Sequence, residues 1–113
     1  MEPSDASLVF DNLIENAIMY TDEGSILVTF EPRGHEIAVI VQDTGIGIPQ
    51  TDQSRIFERF YRVDKARSRE VGGTGLGLSL VRHAVERSKG RVSVKSNPGE
   101  GSQFTVVFPR AKR

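Results

Sequence analysis

The stretch Ile37–Pro49, "IAVIVQDTGIGIP", decides the fold. Ile37 to Val41 is an unbroken apolar run, which suits a strand buried on both faces better than one half-open to water. The run ends abruptly at Asp43, and Gly45 and Gly47 follow. A carboxylate can only accept hydrogen bonds. At the end of a buried strand, Asp43 could accept the exocyclic amino group of adenine. Guanine would put an oxygen there, and an unpaired buried acceptor is costly. A plain Asp-Thr-Gly turn is the competing reading.

Upstream, "SILVTFEP" (25–32) reads as a strand, "RGHE" (33–36) as a hairpin connection and "TDEG" (21–24) as a turn. Before them, "DNLIENAIMYT" (Asp11–Thr21) reads as a helix, because Phe10, Leu13, Ile14, Ala17 and Thr21 recur at helical spacing. Asn12 and Asn16 stack one turn apart on the neighbouring face, which Met19 and Tyr20 continue. Asparagine forms helices poorly, since its amide competes for backbone hydrogen bonds. Two surface asparagines need no explanation. Stacked carboxamide oxygens are equally a hard, neutral face for a phosphate-bound cation.

Downstream lies a polar, basic stretch from about Pro49 to Thr74, with a short helix expected near Asp52–Phe57. A loop of that length in a compact domain is commonly a lid. Phe57, Phe60 and Tyr61 interleave there with Arg59, Arg62, Lys65, Arg67 and Arg69. That composition fits a lid with a basic group at a terminal phosphate, or a solvated loop docked by its aromatics. "GGTGLGLSLV" (72–81) then opens a helix with Leu76, Leu80, Val81, Ala84 and Val85 as its apolar stripe and Gly90 as its C-cap. Amides of such a turn can surround a phosphate. There is no Gly-Lys-Ser/Thr, and the turn follows a loop, so neither a P-loop nor a dinucleotide fingerprint applies. "RVSVKS", "NPGEG" and "SQFTVVF" make a terminal hairpin. This order of elements is an α+β sandwich with helices on one sheet face.

Composition narrows the function. At 113 residues the chain is one domain. Lys+Arg and Asp+Glu both number 15, which argues against a nucleic-acid surface. Without cysteine there is no thiolate metal site and no cysteine nucleophile. No apolar run approaches the roughly 20 residues of a membrane span, so no direct membrane contact is expected. His35 falls in a hairpin turn and His83 on the later helix, away from any phosphate loop.

In this order, the pieces resemble the ATP-binding catalytic domain of sensor histidine kinases, which shares a superfamily with DNA gyrase, MutL repair proteins and heat-shock chaperones. "DNLIENAIMYT" is similar to the family's N box, "DTGIGIP" to its G1 box and "IFERFYRVDKARSR" to its F box. "GGTGLGLSLV" is similar to G2 and "GEGSQFTVVF" to the final glycine motif. The run from "FYRVDKARSR" to "GGTGLGL" is particularly similar to the phosphate-regulon type of sensor. The resemblance implies a mixed sheet of about five strands with about three helices on one face, the N-terminal strand truncated. It implies residues 1–113 as a catalytic fragment with an ATP lid at about 49–74.

It also implies roles. Asn16 would bind Mg²⁺, with Asn12 supporting the phosphate end and Arg62 contacting the terminal phosphate, the latter two as catalytic groups. Tyr20, Asp43, Gly45, Gly47, Ile48, Tyr61, Gly73, Thr74, Gly75, Leu76, Gly77 and Leu78 would complete the nucleotide site. The implied ligands are ATP and Mg²⁺. The implied partners are a dimerisation domain carrying the acceptor histidine, absent from this chain, and a response-regulator receiver domain. The implied setting is a cytoplasmic domain of an inner-membrane-anchored bacterial sensor. Met19 departs from the pattern, which usually has a basic residue there. Two other readings stay open: an ATPase clamp, which would need a glutamate base where Asn12 stands, and a degenerate nucleotide-binding or interaction module.

Overall fold

The computed structural model describes residues 3–19, 21, 24–58 and 77–109. Helix α1 spans Pro3–Met19. Strands β1 (Ile26–Arg33) and β2 (Glu36–Asp43) form a hairpin around Gly34-His35. A short helix α2 (Gln50–Gln53) follows, then α3 (Gly77–Arg87), β3 (Arg91–Asn97) and β4 (Gly101–Pro109). Among the described residues the sheet has four strands in the order β1-β2-β4-β3. All three pairings are antiparallel, where a mixed sheet of about five was expected. The reason is local: β1–β2 and β3–β4 are each joined by a tight turn, and β2 pairs β4 between them.

Register sorts the two faces. Val39, Val41, Phe104 and Val106 fall on one side of the central strands and are buried. Val9, Leu13 and Ala17 of α1 and Val81, Ala84 and Val85 of α3 pack onto that side. Among the described residues Phe104 is the largest wholly buried side chain, and Phe57 meets it edge-on at 6.2 Å between ring centroids. The run Ile37–Val41 is buried on both faces at its centre, since Ala38 and Val39 are both inaccessible. Edge strand β1 is otherwise: Leu27 and Phe30 are largely exposed, although Phe30 stacks edge-on against Phe10.

Four local expectations change. Helix α1 begins at Pro3, well before Asp11, so that Val9 joins Leu13 and Ala17 at i, i+4, i+8 in the core; proline is well suited to a first helical position. The short helix lies at Gln50–Gln53, with turns and a bend beyond it in place of a helix to Phe57. Leu80 is 44% exposed and does not belong to the buried stripe of α3. The left-handed residue that ends α3 is Lys89 (φ 62°), not Gly90. Gly90 N–H donates to Val85 O and Lys89 N–H to Glu86 O, both at 2.9 Å, which is a Schellman ending. Arg87 in the last turn of α3 pairs through two nitrogens with Asp5 in the first turn of α1.

Candidate nucleotide site

Asp43 is the last residue of β2, and its side chain is buried. Two backbone donors converge on its Oδ1: Gly45 N–H at 2.9 Å and Ser102 N–H at 3.2 Å. Oδ2 takes no part in either bond, so it is the oxygen available to a ligand's donor. Burial pushes the carboxyl above its ordinary value, and these two bonds pull it partly back.

The turn after Asp43 leaves the strand through Gly47, in the left-handed region at φ 77°. A side chain there would run into the Asn97 carbonyl and Pro98, so only glycine lets this turn lie against the β3–β4 hairpin. Ile48 is 6% exposed and belongs to the hydrophobic core, so any ligand contact it makes is at its backbone or through its edge. Gly45 is half-buried.

The helices bring the other candidates to the same end of the sheet. Asp5 of α1 pairs with Arg87 of α3, and Asn12 of α1 lies beside Gly77, the first residue of α3. The two helices are therefore antiparallel. The C-terminal turns of α1 and the N-terminus of α3 point the same way. Thr21, just past α1, lies beside Gly24, which in turn abuts Thr44, the residue after Asp43. Asp43, Asn16 and the α3 N-terminus thus share one end of the molecule. A Cβ at Gly77 would stand 2.7 Å from Asn12 Oδ1, so glycine permits the close approach of the helices. Asn12 Nδ2 donates to Leu8 O at 2.7 Å, which sets its amide oxygen toward α3. Asn16 is half-buried one turn further on, and Leu78 packs partly into the core.

Amide oxygens are hard ligands, and a helix N-terminus with its free N–H groups favours an anion. No cluster of three His, Cys, Asp or Glu occurs among the described residues. Among the described residues at this end, the Asn12 and Asn16 amide oxygens are groups whose chemistry fits a Mg²⁺ ion that also carries a polyphosphate. Tyr20, Tyr61, Arg62, Gly73, Thr74, Gly75 and Leu76 lie outside the described residues, as does most of the expected lid. His35 and His83 are both exposed. No described helix is long and apolar enough to cross a membrane.

The sequence reading passed over Ser96, Ser102 and Gln53. Ser96 and Ser102 are buried, and they occupy the same cross-strand row as Asp43. Their signal was present: the inward positions of β3 and β4 read Val92, Val94, Ser96 and Ser102, Phe104, Val106, with polarity only at the Asp43 end.

Comparison with known proteins places the chain in a family. A family model described as "Histidine kinase-, DNA gyrase B-, and HSP90-like ATPase" matches residues 1–112. The chain belongs to this family. It is 50% identical over 99 residues to the sensor-like histidine kinase SenX3 of Mycolicibacterium smegmatis, covering 87% of this chain and 26% of that protein. It is 44% identical over 115 residues to the phosphate regulon sensor protein PhoR of Pseudomonas aeruginosa, covering 99% and 26% respectively. Among solved structures, full-length ShkA in complex with AMPPNP superposes with a TM-score of 0.80 at 28% identity, over 96% of this chain and 22% of that one. The chain thus spans about a quarter of the curated relatives it matches.

Proposed function

We propose that this chain binds Mg-ATP and, within a longer sensor kinase, presents the terminal phosphoryl group to a histidine on a separate dimerisation domain. The observation that carries the reading is Asp43: a buried carboxylate at a strand end, with Oδ1 occupied by two backbone N–H groups and Oδ2 left for an adenine amino group. The AMPPNP complex of a structural relative and the family membership support the nucleotide.

Phosphoryl transfer asks a protein chiefly for positioning and charge neutralisation. Asn16 would hold Mg²⁺, which supplies charge neutralisation on the phosphates when bound. Asn12 would steady the phosphate end beside the α3 N-terminus, and Gly73, Thr74, Gly75, Leu76, Gly77 and Leu78 would line the phosphate path. Arg62 would meet the terminal phosphate, and Tyr20 and Tyr61 would pack against the nucleotide. The phosphorylated histidine would pass its group to a response-regulator receiver domain, and the parent would be a membrane-anchored sensor with this part in the cytoplasm. Asn12 cannot take a proton at neutral pH, and Glu15 is exposed on α1. Clamp-type ATP hydrolysis is therefore not expected of this chain.

The test is thermal unfolding with ATP or GTP, with and without Mg²⁺, followed by phosphotransfer to a dimerisation domain supplied in trans. A ligand specific to the folded state stabilises it by about 2.7 kcal/mol at about 100 times its dissociation constant. An ATP-selective shift and ATP-dependent phosphorylation of the added domain, with none on this chain alone, are the expected results. Sustained ATP hydrolysis abolished by Asn16→Ala would move the reading to an ATPase. The absence of any shift at millimolar ATP would refute nucleotide binding.

A further inference from the structure

The Ser96 hydroxyl is the hub of a buried polar network. It accepts the Ile48 N–H at 2.7 Å, and lies 2.8 Å from both the Gly101 carbonyl and Ser102 Oγ. A serine hydroxyl has one proton and two lone pairs. Since the Gly101 carbonyl can only accept, the arrangement that satisfies all three puts the Ser96 proton there and has Ser102 donate to Ser96. Every capacity of Ser96 is then used, and its orientation is set.

Gln53 closes the network from the other side. Its Nε2 donates to Ile48 O and to Ser96 O, each at 2.9 Å, which occupies both amide protons. Gly99 N–H donates to Ile46 O at 2.8 Å. The turn between Asp43 and α2 is thus tied to the β3–β4 hairpin at Ile46 O, Ile48 N and Ile48 O. The near end of that same turn is Gly45, whose N–H holds Asp43 Oδ1. Ser102, which is bonded to Ser96, supplies the second N–H on that oxygen. Both donors that aim Asp43 therefore lead back to Ser96.

We propose that Ser96 and Gln53 are positioning residues of the nucleotide site, which act through the Gly45–Ile48 turn and Ser102 to fix the orientation of the Asp43 carboxylate. This rests on the reading of Asp43 as the adenine-binding group. Neither residue is expected to touch nucleotide. A merely structural role would lower stability and leave the affinity of folded molecules alone.

Two readouts separate these roles in the variants Ser96→Ala and Gln53→Leu, with Ser96→Thr as the conservative control. The first is amide exchange in ligand-free protein, corrected for global stability. The Gly45 N–H should exchange about tenfold faster in both variants, as expected for losing roughly one hydrogen bond's worth of restraint, while the amides joining β2 to β4 keep their rates. The second is Mg-ATP titration calorimetry at a temperature where every variant is folded. The dissociation constant should rise about tenfold in Ser96→Ala and Gln53→Leu and stay within about twofold in Ser96→Thr. In an Asp43→Asn background the Ser96→Ala penalty should shrink below about twofold, because the group it aims has gone. Unchanged Gly45 exchange overturns the proposal, as does a penalty that multiplies fully with that of Asp43→Asn. If the unaltered chain bound no ATP, the functional reading would fall, and the exchange measurement would decide the positioning role by itself.

Discussion

Replacing Asp43 by asparagine should move stability and affinity in opposite directions. In the folded protein, burial raises this carboxyl above its ordinary 3.8, despite two backbone hydrogen bonds. The folded state therefore holds the Asp43 proton more tightly than the unfolded chain does. The stabilising contribution of the protonated form is complete below about pH 3.8 and is lost as pH rises through the folded value. At neutral pH the ionised group is a net burden on the fold. Asparagine can keep its Oδ1 on Gly45 N–H and Ser102 N–H without burying a charge. Ligand-free Asp43→Asn should melt above the unaltered chain at pH 7, and that advantage should shrink as pH falls toward 4.

Affinity should respond the other way. With Oδ1 kept on the two backbone donors, the asparagine NH₂ group stands where Oδ2 stood, so the pocket presents a donor to the adenine amino donor. Loss of a hydrogen bond to a charged group costs about 1.5–3 kcal/mol, so the ATP dissociation constant should rise roughly ten- to hundredfold. Guanine offers an oxygen there, so the preference for ATP over GTP should narrow by more than the loss in ATP affinity alone. Calorimetric titration with both nucleotides, beside melting curves from pH 4 to pH 8, checks all of this. A ligand-free variant that melts lower at every pH, with an unchanged ratio of ATP to GTP affinity, would refute the reasoning about both burial and recognition.

Lys89 sits in the left-handed region at the end of α3, where an L-residue pays roughly 1–2 kcal/mol, so Lys89→Gly should stabilise by about 1 kcal/mol in denaturant titration, and destabilisation would contradict the assignment of that cap. Gly90→Ala should instead destabilise strongly, since its Cβ would meet the Val107 carbonyl and lie 3.1 Å from Phe108 Cβ. Phe104→Ala should cost about 3–5 kcal/mol, because the ring is wholly buried between Phe57 and the helices; a loss under about 1 kcal/mol in denaturant titration would mean the core is not centred there. Met19→Lys should tighten Mg-ATP binding by about 1 kcal/mol through an added charge-assisted contact, and equal or weaker binding by calorimetry would show that no charge is missing at that place.

Periodicity carried most of the fold. The buried strand Ile37–Val41, both hairpins and the core faces of α1 and α3 follow from apolar spacing alone. It failed where neighbours one position apart on a helix differ in fate. Leu80 and Val81 are both apolar, yet a step of one residue turns a side chain by about 100°, and only Val81 meets the core. It failed again at the α3 ending, where a glycine rule pointed to Gly90. Glycine is needed there because a carbonyl of β4 approaches it, a tertiary fact, while Lys89 bears the left-handed turn. Of the proposed site, Asp43, Gly45, Gly47, Asn12 and Gly77 can be named from the sequence because each lies in a local motif. Ser96 and Gln53 carry no such local signal, because their partners are distant in the chain: Ser96 Oγ accepts from Ile48 and Gln53 donates to the Ser96 carbonyl.

That register explains why polarity is confined to one row. Along the inner face, β2, β4 and β3 supply apolar residues except at one end of the sheet, where Asp43, Ser102 and Ser96 stand side by side. An apolar row there would make a better core and no site. A lone carboxylate would be an unsatisfied buried charge, costly enough to neutralise or unfold. The row resolves the conflict by spreading the polar burden over three strands. Backbone N–H groups satisfy Oδ1 of Asp43, the Ser96 hydroxyl bonds Ile48 N–H, the Gly101 carbonyl and Ser102 Oγ, Gln53 ties the Ile48 and Ser96 carbonyls, and Oδ2 of Asp43 takes part in none of these bonds. Ser96→Val should therefore do two things: lower stability in denaturant titration, because it strands the buried Ile48 N–H and Gly101 carbonyl, and weaken Mg-ATP binding by calorimetry in molecules that remain folded, because the aim of Asp43 is lost.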